Sequence, residues 1–214
     1  GMQTKEEDVV TNLFVANTHT QLLFFTTEGM VYKLKTWRLP QGSRTSKGKA
    51  IVNILPIPPG VSVAAILPID RDEKDWAELQ IMFATSAGDV RQNRLSDFTN
   101  VMRNGKIAMK LPEDGSVHMV NARICSDQDD VMLVTNGGRA IRFPSTDVRG
   151  VRLQPDQRVV SMSIIRHFEA SSDERAAYLK MRRAMAGLAD DAEGVHDEGD
   201  ANASISQERY AEMS

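Results

Sequence analysis

The sequence predicts an all-β protein with a propeller-like repeat of four-stranded units, here called blades, followed by a shorter segment of different character. Three observations lead to this prediction. A hairpin pattern occurs three times, each copy is followed by a glycine- and lysine-containing loop that enters a strand, and the hairpin glycines are 59 and 50 residues apart. Such spacing, with about four short strands per repeat, is typical of bladed β-proteins.

The repeated hairpin is carried by three segments that align without gaps around a glycine. In each, an apolar run ends in a threonine, the glycine follows three positions later, and a polar or basic residue stands four positions after the glycine. The first run is apolar throughout, which predicts a central strand covered on both faces, and the glycine supplies the positive φ of a tight turn. The segments are "LLFFTTEGMVYKL" (22–34), "IMFATSAGDVRQN" (81–93) and "VMLVTNGGRAIRF" (131–143).

Two further elements follow each hairpin. The first is a loop leading into a short strand, in "KGKAIVNIL" (47–55), "NGKIAMKL" (104–111) and "RGVRL" (149–153). The second is a third strand with a turn signal before it, in "GVSVAAILPI" (60–69), "GSVHMVNARI" (115–124) and "DQRVVSMSII" (156–165). Grouping these strands with the hairpin that comes next predicts about three blades and part of a fourth within residues 7–167.

Residues 168–214 are expected to form a helical and then acidic insertion. "EASSDERAAYLKMRRAMAGL" (169–188) predicts a helix, because Ala, Leu, Met and Arg recur at helical spacing. Ser171 or Ser172 is the candidate N-cap and Gly187 the candidate stop. The acidic "ADDAEGVHDEGDANAS" (189–204) is expected to be disordered, and "SISQERYAEM" (204–213) to form one more short helix.

The composition excludes several classes of protein. No apolar run approaches the roughly 18 residues of a membrane helix, and the single cysteine excludes an internal disulfide framework and fits a cytoplasmic protein. No loop has the spacing of a nucleotide-binding motif. The Cys125 thiol is expected to be a half-buried strand residue, and Asp127, Asp129 and Asp130 a solvated turn. The histidines lack metal-ligand spacing to one another or to the cysteine; they are His19, His118, His167 and His196. We therefore expect no catalysis, metal or cofactor in this chain.

The charge is unevenly distributed along the chain. Residues 1–167 hold 21 Lys and Arg against 18 Asp and Glu, whereas residues 168–214 hold 5 against 11. Basic residues recur in the three units, which predicts a stripe along the rim that neutralises phosphates without reading sequence; the alternative is an ordinary solvated face. Aromatic residues are only 6% of the chain, which favours contact with a duplex backbone over stacking on single strands. The candidate DNA-binding residues are Lys33, Lys35, Arg38, Arg44, Lys47, Lys49, Arg91, Arg94, Arg103, Lys106, Lys110, Arg139, Arg142, Arg149 and Arg152.

Together these segments resemble a known family. "LFVANTHTQLLFFTTEGMVYKLKTWRLPQGSRTSKGKAIVNILPI", "MFATSAGDVRQNRLSDF", "RNGKIAMKL" and "GVRLQPDQRVVSMSI" are similar to the C-terminal domain of DNA gyrase A, over about residues 7–167. The resemblance implies a β-pinwheel whose neighbouring blades exchange strands. It also implies a rim that wraps double-stranded DNA and so assists ATP-dependent negative supercoiling by a type II topoisomerase.

The resemblance also carries implications for partners and cofactors. The remainder of gyrase A, together with gyrase B, would be the protein partners in a heterotetramer, and ATP and magnesium would be used outside this stretch. The family's "QRRGGKG"-like loop is absent, and "GSRTSKGKA" (42–50) is a degenerate counterpart of it.

Three alternatives to a gyrase wrapping domain remain open on the sequence. One is the equivalent domain of topoisomerase IV, which would bend DNA less. Another is a propeller-like protein-interaction module, which would not bind DNA at moderate salt. The third is a hydrolase on a bladed scaffold, which would need converging carboxylates or a histidine-centred site.

Overall fold

The computed structural model describes residues 12–43, 46, 48–148, 150–185 and 206–213, and the chain divides into two units between Arg166 and His167. The first unit holds three antiparallel sheets and the second holds two helices. Short 3-10 helices lie at Thr36–Arg38, Ile51–Asn53, Glu73–Glu78 and Leu95–Phe98. The strands are β1 (Gln21–Thr26), β2 (Met30–Lys35), β3 (Val63–Ile69), β4 (Gln80–Thr85), β5 (Val90–Arg94), β6 (Lys106–Ile107), β7 (Met119–Cys125), β8 (Asp129–Thr135), β9 (Ala140–Pro144) and β10 (Val159–Arg166), and the helices are α1 (Ser172–Met185) and α2 (Gln207–Met213).

The three predicted hairpins are confirmed as β1–β2, β4–β5 and β8–β9. The first strand of each hairpin is the middle strand of its sheet, as the continuous apolar runs predict. All residues from Leu22 to Thr26 and from Ile81 to Thr85 are buried, because a central strand is covered by a neighbouring sheet or loop on each face.

The recurring threonine closes each hairpin turn. Its buried hydroxyl oxygen accepts a hydrogen bond from the backbone N–H four positions later, and its carbonyl accepts one from the glycine N–H at 3.0 Å in all three hairpins. The hydroxyl satisfies a part-buried backbone donor that the turn leaves without a strand partner. The hydroxyl pairs are Thr26 with Met30 at 3.2 Å, Thr85 with Asp89 at 3.1 Å and Thr135 with Arg139 at 3.2 Å.

The third strands belong to the hairpin before them, which differs from the predicted grouping. β3 pairs with β1, β7 with β4, and β10 with β8, all antiparallel. The segment predicted to begin a fourth blade is therefore the inner strand of the third. β3 packs beside β7, and β7 beside β10, so these inner strands form a hub. Strands β2, β5 and β9 lie on the other side of the central strands, here called the rim; β5 and β9 are the edge strands there, and in the first blade β6 is added outside β2.

Neighbouring blades exchange a strand at the rim. β6 follows the second hairpin but pairs with β2 of the first blade, completing a four-stranded sheet. The N–H of Ala108 donates to the carbonyl of Gly29 at 2.8 Å, and the N–H of Val151 donates to that of Gly88 at 2.9 Å. The short "RGVRL" segment thus reaches the second blade as "NGKIAMKL" reaches the first, without forming a regular strand.

The strand predicted within 47–55 is not formed, and Ile51–Asn53 is a 3-10 helix instead. By analogy with β6, this segment would pair with a hairpin preceding β1, and the described residues contain none. A lone strand leaves its backbone groups unpaired, whereas the 3-10 turn satisfies several of them locally. The N–H of Asn53 donates to the Ala50 carbonyl at 3.0 Å, and those of Ile54 and Leu55 donate to the Ile51 carbonyl at 2.9 Å.

Two apolar clusters join the three blades face to face. The first lies between the first and second blades and centres on Phe25, Phe83 and Phe98, whose rings meet edge to face at 5.3 to 5.9 Å. The second lies between the second and third blades and includes Met82 and Leu133. Alternate residues of the central strand β4 therefore serve different clusters, as the two-residue period of a strand requires.

In the part of the second unit that the structure describes, an arginine and a pair of tyrosine rings join two helices. Ser171 is the N-cap of α1: its Oγ accepts from the Glu174 N–H at 3.2 Å, and Glu174 accepts from the Ser171 N–H at 2.9 Å. Arg209 of α2 donates to the same carboxylate at 2.9 Å, and these bonds, led by that from Ser171, lower the pKa of Glu174. The rings of Tyr178 and Tyr210 lie 4.9 Å apart. Both predicted helices are confirmed, while Gly187 and the acidic 189–204 lie outside the described residues.

Neither described helix is long and apolar enough to cross a membrane.

Candidate nucleic-acid interface

The candidate basic residues lie mostly on the rim. Arg91 and Arg94 lie on β5, Lys106 on β6, and the others on outer strands or the segments beside them. Arg44, Lys47 and Arg149 lie outside the described residues, and Lys33 is largely buried. The exposed members are Lys35, Arg38, Lys49, Arg91, Arg94, Arg103, Lys106, Lys110, Arg139, Arg142 and Arg152.

A cleft of about 820 Å³ opens where the rims of the first two blades meet. Its described lining carries four cations and no acidic residue: Lys33, Arg38, Lys49 and Arg103. Tyr32 also lines it and donates from its hydroxyl to the Pro56 carbonyl at 3.2 Å. Cations of one sign around a concave surface attract phosphate and raise its local concentration. A second cleft, of about 800 Å³, is lined by both basic and acidic residues, so it does not favour phosphate in this way.

The cleft is bordered by an exposed aromatic residue. Trp37 is 56% exposed, and the guanidinium of Arg38 lies over its ring, 5.1 Å from the centroid. This stacking restricts the Arg38 side chain without neutralising its charge. The cation therefore stays available to an anion on the rim.

Lys33 is held in a different role from the one predicted. Its side chain is 16% exposed, and its ammonium forms an ion pair with Glu73 at 2.9 Å, donates to the Thr99 carbonyl and lies 5.7 Å from the Trp76 ring centroid. Glu73 and Trp76 belong to the 3-10 helix before β4, so the ion pair ties β2 to the second blade. We therefore leave Lys33 out of the proposed DNA contacts.

In all three blades, the side chain four positions after the hairpin glycine contacts another group of the protein. In the second blade it is Gln92, whose amide lies 3.8 Å from the Cys125 sulfur. In the third it is Arg142, which pairs at 2.5 Å with Asp130, a carboxylate only 3% exposed. Arg142 remains partly exposed, so it can contact an anion only while it also compensates a buried acid.

Replacing Lys33 by methionine is expected to lower the free energy of unfolding by about 1–3 kcal/mol, because Glu73 loses its cation and the Thr99 carbonyl its donor. The matched change Lys35→Met removes an exposed charge from the same strand and should leave stability within about 0.5 kcal/mol. Urea denaturation of both variants checks this. Equal losses in the two would contradict the structural role of Lys33.

Among the described residues, no group of three or more His, Cys, Asp or Glu side chains lies close enough to hold a metal ion. Cys125 is buried, and burial raises the pKa of its thiol, which disfavours the thiolate needed of a nucleophile. Asp129 accepts from the N–H and hydroxyl of Ser126 at 2.7 and 2.8 Å, and Asp127 accepts from Gln80. The predicted solvated turn is therefore confirmed for Asp127 and Asp129 and wrong for Asp130, which is buried on β8 and pairs with Arg142.

Two rim residues were not singled out by the sequence reasoning. Met102 and Ile107 are 77% and 62% exposed, although both are large and apolar. The available signal was their position inside "VMRNGKIAMK" (101–110), where apolar residues interrupt a basic, glycine-containing loop.

Packed sheets of three or four strands, an inner-strand hub and a row of exposed cations on the outer side define a propeller-like β-domain. The family described as "DNA gyrase C-terminal domain, beta-propeller" matches residues 20–70, 80–126 and 129–166, which coincide with the three blades. The chain belongs to this family, and the resemblance inferred from its sequence is confirmed.

Relatives of known identity agree with this assignment. The chain is 42% identical over 201 residues to the DNA gyrase A protein of Granulibacter bethesdensis, covering 86% of this chain and 21% of that protein. It is 38% identical over 192 residues to the DNA gyrase A protein of Rickettsia bellii, covering 85% and 21%. The chain thus spans about a fifth of the length of these relatives.

Solved structures share the fold. The C-terminal domain of DNA topoisomerase IV superposes with a TM-score of 0.64 at 23% identity, covering 80% of this chain and 54% of that one. The DNA gyrase A C-terminal domain superposes with a TM-score of 0.52 at 22% identity, covering 69% and 48%. The predicted bladed all-β fold is confirmed.

Proposed function

We propose that this chain is the DNA-binding and DNA-wrapping domain of a DNA gyrase A protein. The observation that carries the proposal is the row of exposed cations along the rims of consecutive blades. Where two rims meet, these cations line a cleft whose described lining contains no acidic residue. In this role the chain performs no chemistry. It assists ATP-dependent negative supercoiling by a cytoplasmic type II topoisomerase, in which ATP and magnesium are bound by other parts.

The wrapping role follows from how cations act on a duplex. Each Lys or Arg that neutralises a phosphate releases condensed counterions, so binding is strong at low salt and independent of sequence. Because the blades succeed one another around the hub, a duplex that follows their rims must curve. Base contacts are not needed, and the bending energy is offset by the additional phosphate contacts that curvature brings within reach.

The partners proposed are double-stranded DNA, the remainder of the gyrase A polypeptide, and gyrase B in a heterotetramer. The sequence relatives named above support gyrase over topoisomerase IV, because they are gyrase A proteins at 38–42% identity. The likeness to the topoisomerase IV domain, at 23% identity, supports the fold alone. A protein-interaction module would not require a rim cleft lined by cations of one sign.

A salt titration of duplex binding tests the proposal. The variant Arg38→Gln/Lys49→Gln/Arg103→Gln removes the three exposed cations of the cleft. The slope of log affinity against log salt should become shallower by up to about three units, since each lost phosphate contact removes about 0.9.

The matched control replaces three exposed arginines on or beside inner strands, Arg123, Arg158 and Arg166, with glutamine. Its salt slope should equal that of the unchanged protein while the net charge loss is the same. Absence of binding at low salt, or equal slopes for the two triple variants, would reject the rim as the DNA surface.

A further inference from the structure

The turn at residues 102–105 presents apolar side chains on an otherwise cationic rim. Met102 stands at the start of the turn and Ile107 on β6 just after it, and both are largely exposed. Between them, Arg103 and Asn104 form the tip, and both are exposed. Phosphate contact gains nothing from a methionine or an isoleucine, so the turn calls for a partner with an apolar surface as well as negative charge.

The turn is held rigidly against the first two blades. The Gly105 N–H donates to the Met102 carbonyl at 2.9 Å, and Lys106 Nζ donates to the Asp97 carbonyl at 2.6 Å. Gly105 lies so close to the Tyr32 ring that a Cβ there would come within 2.8 Å of a ring carbon. The exposed side chains therefore project from a fixed base.

The surroundings of the turn are cationic. The segment 98–112 contains Arg103, Lys106 and Lys110 and no acidic residue, and Arg103 and Val101 also line the basic cleft. A duplex offers this combination of surfaces, because its phosphates flank a minor groove that has sugar walls and whose base steps present apolar ring faces when they are opened. Apolar side chains held between cations are the device by which architectural proteins unstack base steps and bend DNA.

We propose that Met102 and Ile107 form an apolar wedge that enters the minor groove of the bound duplex and opens a base step, while Arg103 and Lys106 hold the flanking phosphates. This inference rests on the proposed DNA-binding function and specifies what one rim contact does. The wedge localises a bend at the junction of the first two blades. It also makes binding depend on the flexibility of the step that it meets.

The test uses the variant Met102→Ala/Ile107→Ala, with Val160→Ala as a control that removes an exposed apolar side chain from the inner strand β10. Energy transfer between dyes at the ends of a duplex of roughly 25 base pairs, short enough for transfer between its ends and far shorter than the persistence length, reports bending at saturating protein. Affinity is measured for duplexes carrying flexible TA steps and for stiff A-tract duplexes. The unfolding midpoint should be unchanged in both variants, because the altered side chains are exposed.

The wedge variant should bend the duplex less, bind it about tenfold more weakly and lose its preference for TA steps. Its salt slope should stay within about half a unit of the unchanged protein, since no cation is lost. Unaltered bending and step preference in a variant that still binds with a steep salt slope would overturn the wedge alone. Failure of the unchanged protein to bind at low salt would overturn both this inference and the proposed function.

Discussion

Replacing Gly29 by alanine is expected to lower the free energy of unfolding by about 3 kcal/mol or more, whereas Gly138→Ala should lower it by about 1–2 kcal/mol. Both glycines occupy the same hairpin position, with φ of +82° and +71°. An alanine at either position carries the strain of the left-handed region. The two differ in what lies beside them.

A Cβ on Gly29 would lie 2.1 Å from the Met109 carbonyl oxygen, a distance that no packed structure tolerates. The Met109 carbonyl belongs to the backbone just after β6, which pairs with the first blade. Relief of the clash therefore requires breaking the hydrogen bond from the Ala108 N–H to the Gly29 carbonyl. A Cβ on Gly88 would lie 2.6 Å from the Val151 carbonyl oxygen. Around Gly138, the described residues place no such atom within 4 Å.

Urea denaturation of the three alanine variants therefore measures the contribution of strand exchange. The expected order of destabilisation is Gly29→Ala, then Gly88→Ala, then Gly138→Ala, which serves as the control for backbone strain alone. Equal losses in the three variants would show that the close approach of neighbouring blades contributes nothing.

The second large effect is expected at Phe83, where an alanine should lower the free energy of unfolding by about 3–5 kcal/mol. Phe83 is fully buried and contributes one of the three edge-to-face rings between the first and second blades. Its removal leaves a cavity that rigid strands on both sides cannot close. Phe143→Ala on the rim strand β9 is the control, and its half-buried ring should be worth about 1 kcal/mol.

A double-mutant cycle separates the ring contact from simple burial. Phe25→Leu and Phe83→Leu retain apolar volume but lose the edge-to-face geometry across the two blades. We expect a coupling energy of about 0.5–1.5 kcal/mol from the cycle by denaturation. Additive effects would mean that the rings merely fill space.

Much of the fold could be predicted because its signals are local. A buried strand, a threonine that closes a turn and a glycine with positive φ all lie within about six residues, so the three hairpins follow from neighbouring positions in the chain. The grouping of strands could not be predicted in this way. β3 and β10 pair with the hairpin before them, whereas β6 pairs with β2, four strands earlier, because any exposed strand edge can accept a partner from elsewhere.

On the rim too, some features could be predicted from local sequence and others depend on distant contacts. The exposure of Lys35 and Arg91 follows from their place on outer strands, which the alternating pattern indicates. The engagement of Lys33 depends on Glu73, a residue from the connection between two blades, and no local pattern reports that approach. The periodicity and charge of the chain thus established a bladed protein with a basic rim. Only the tertiary packing decided which edges pair, which cations are already neutralised and which apolar side chains remain exposed, because these depend on contacts between residues far apart in sequence.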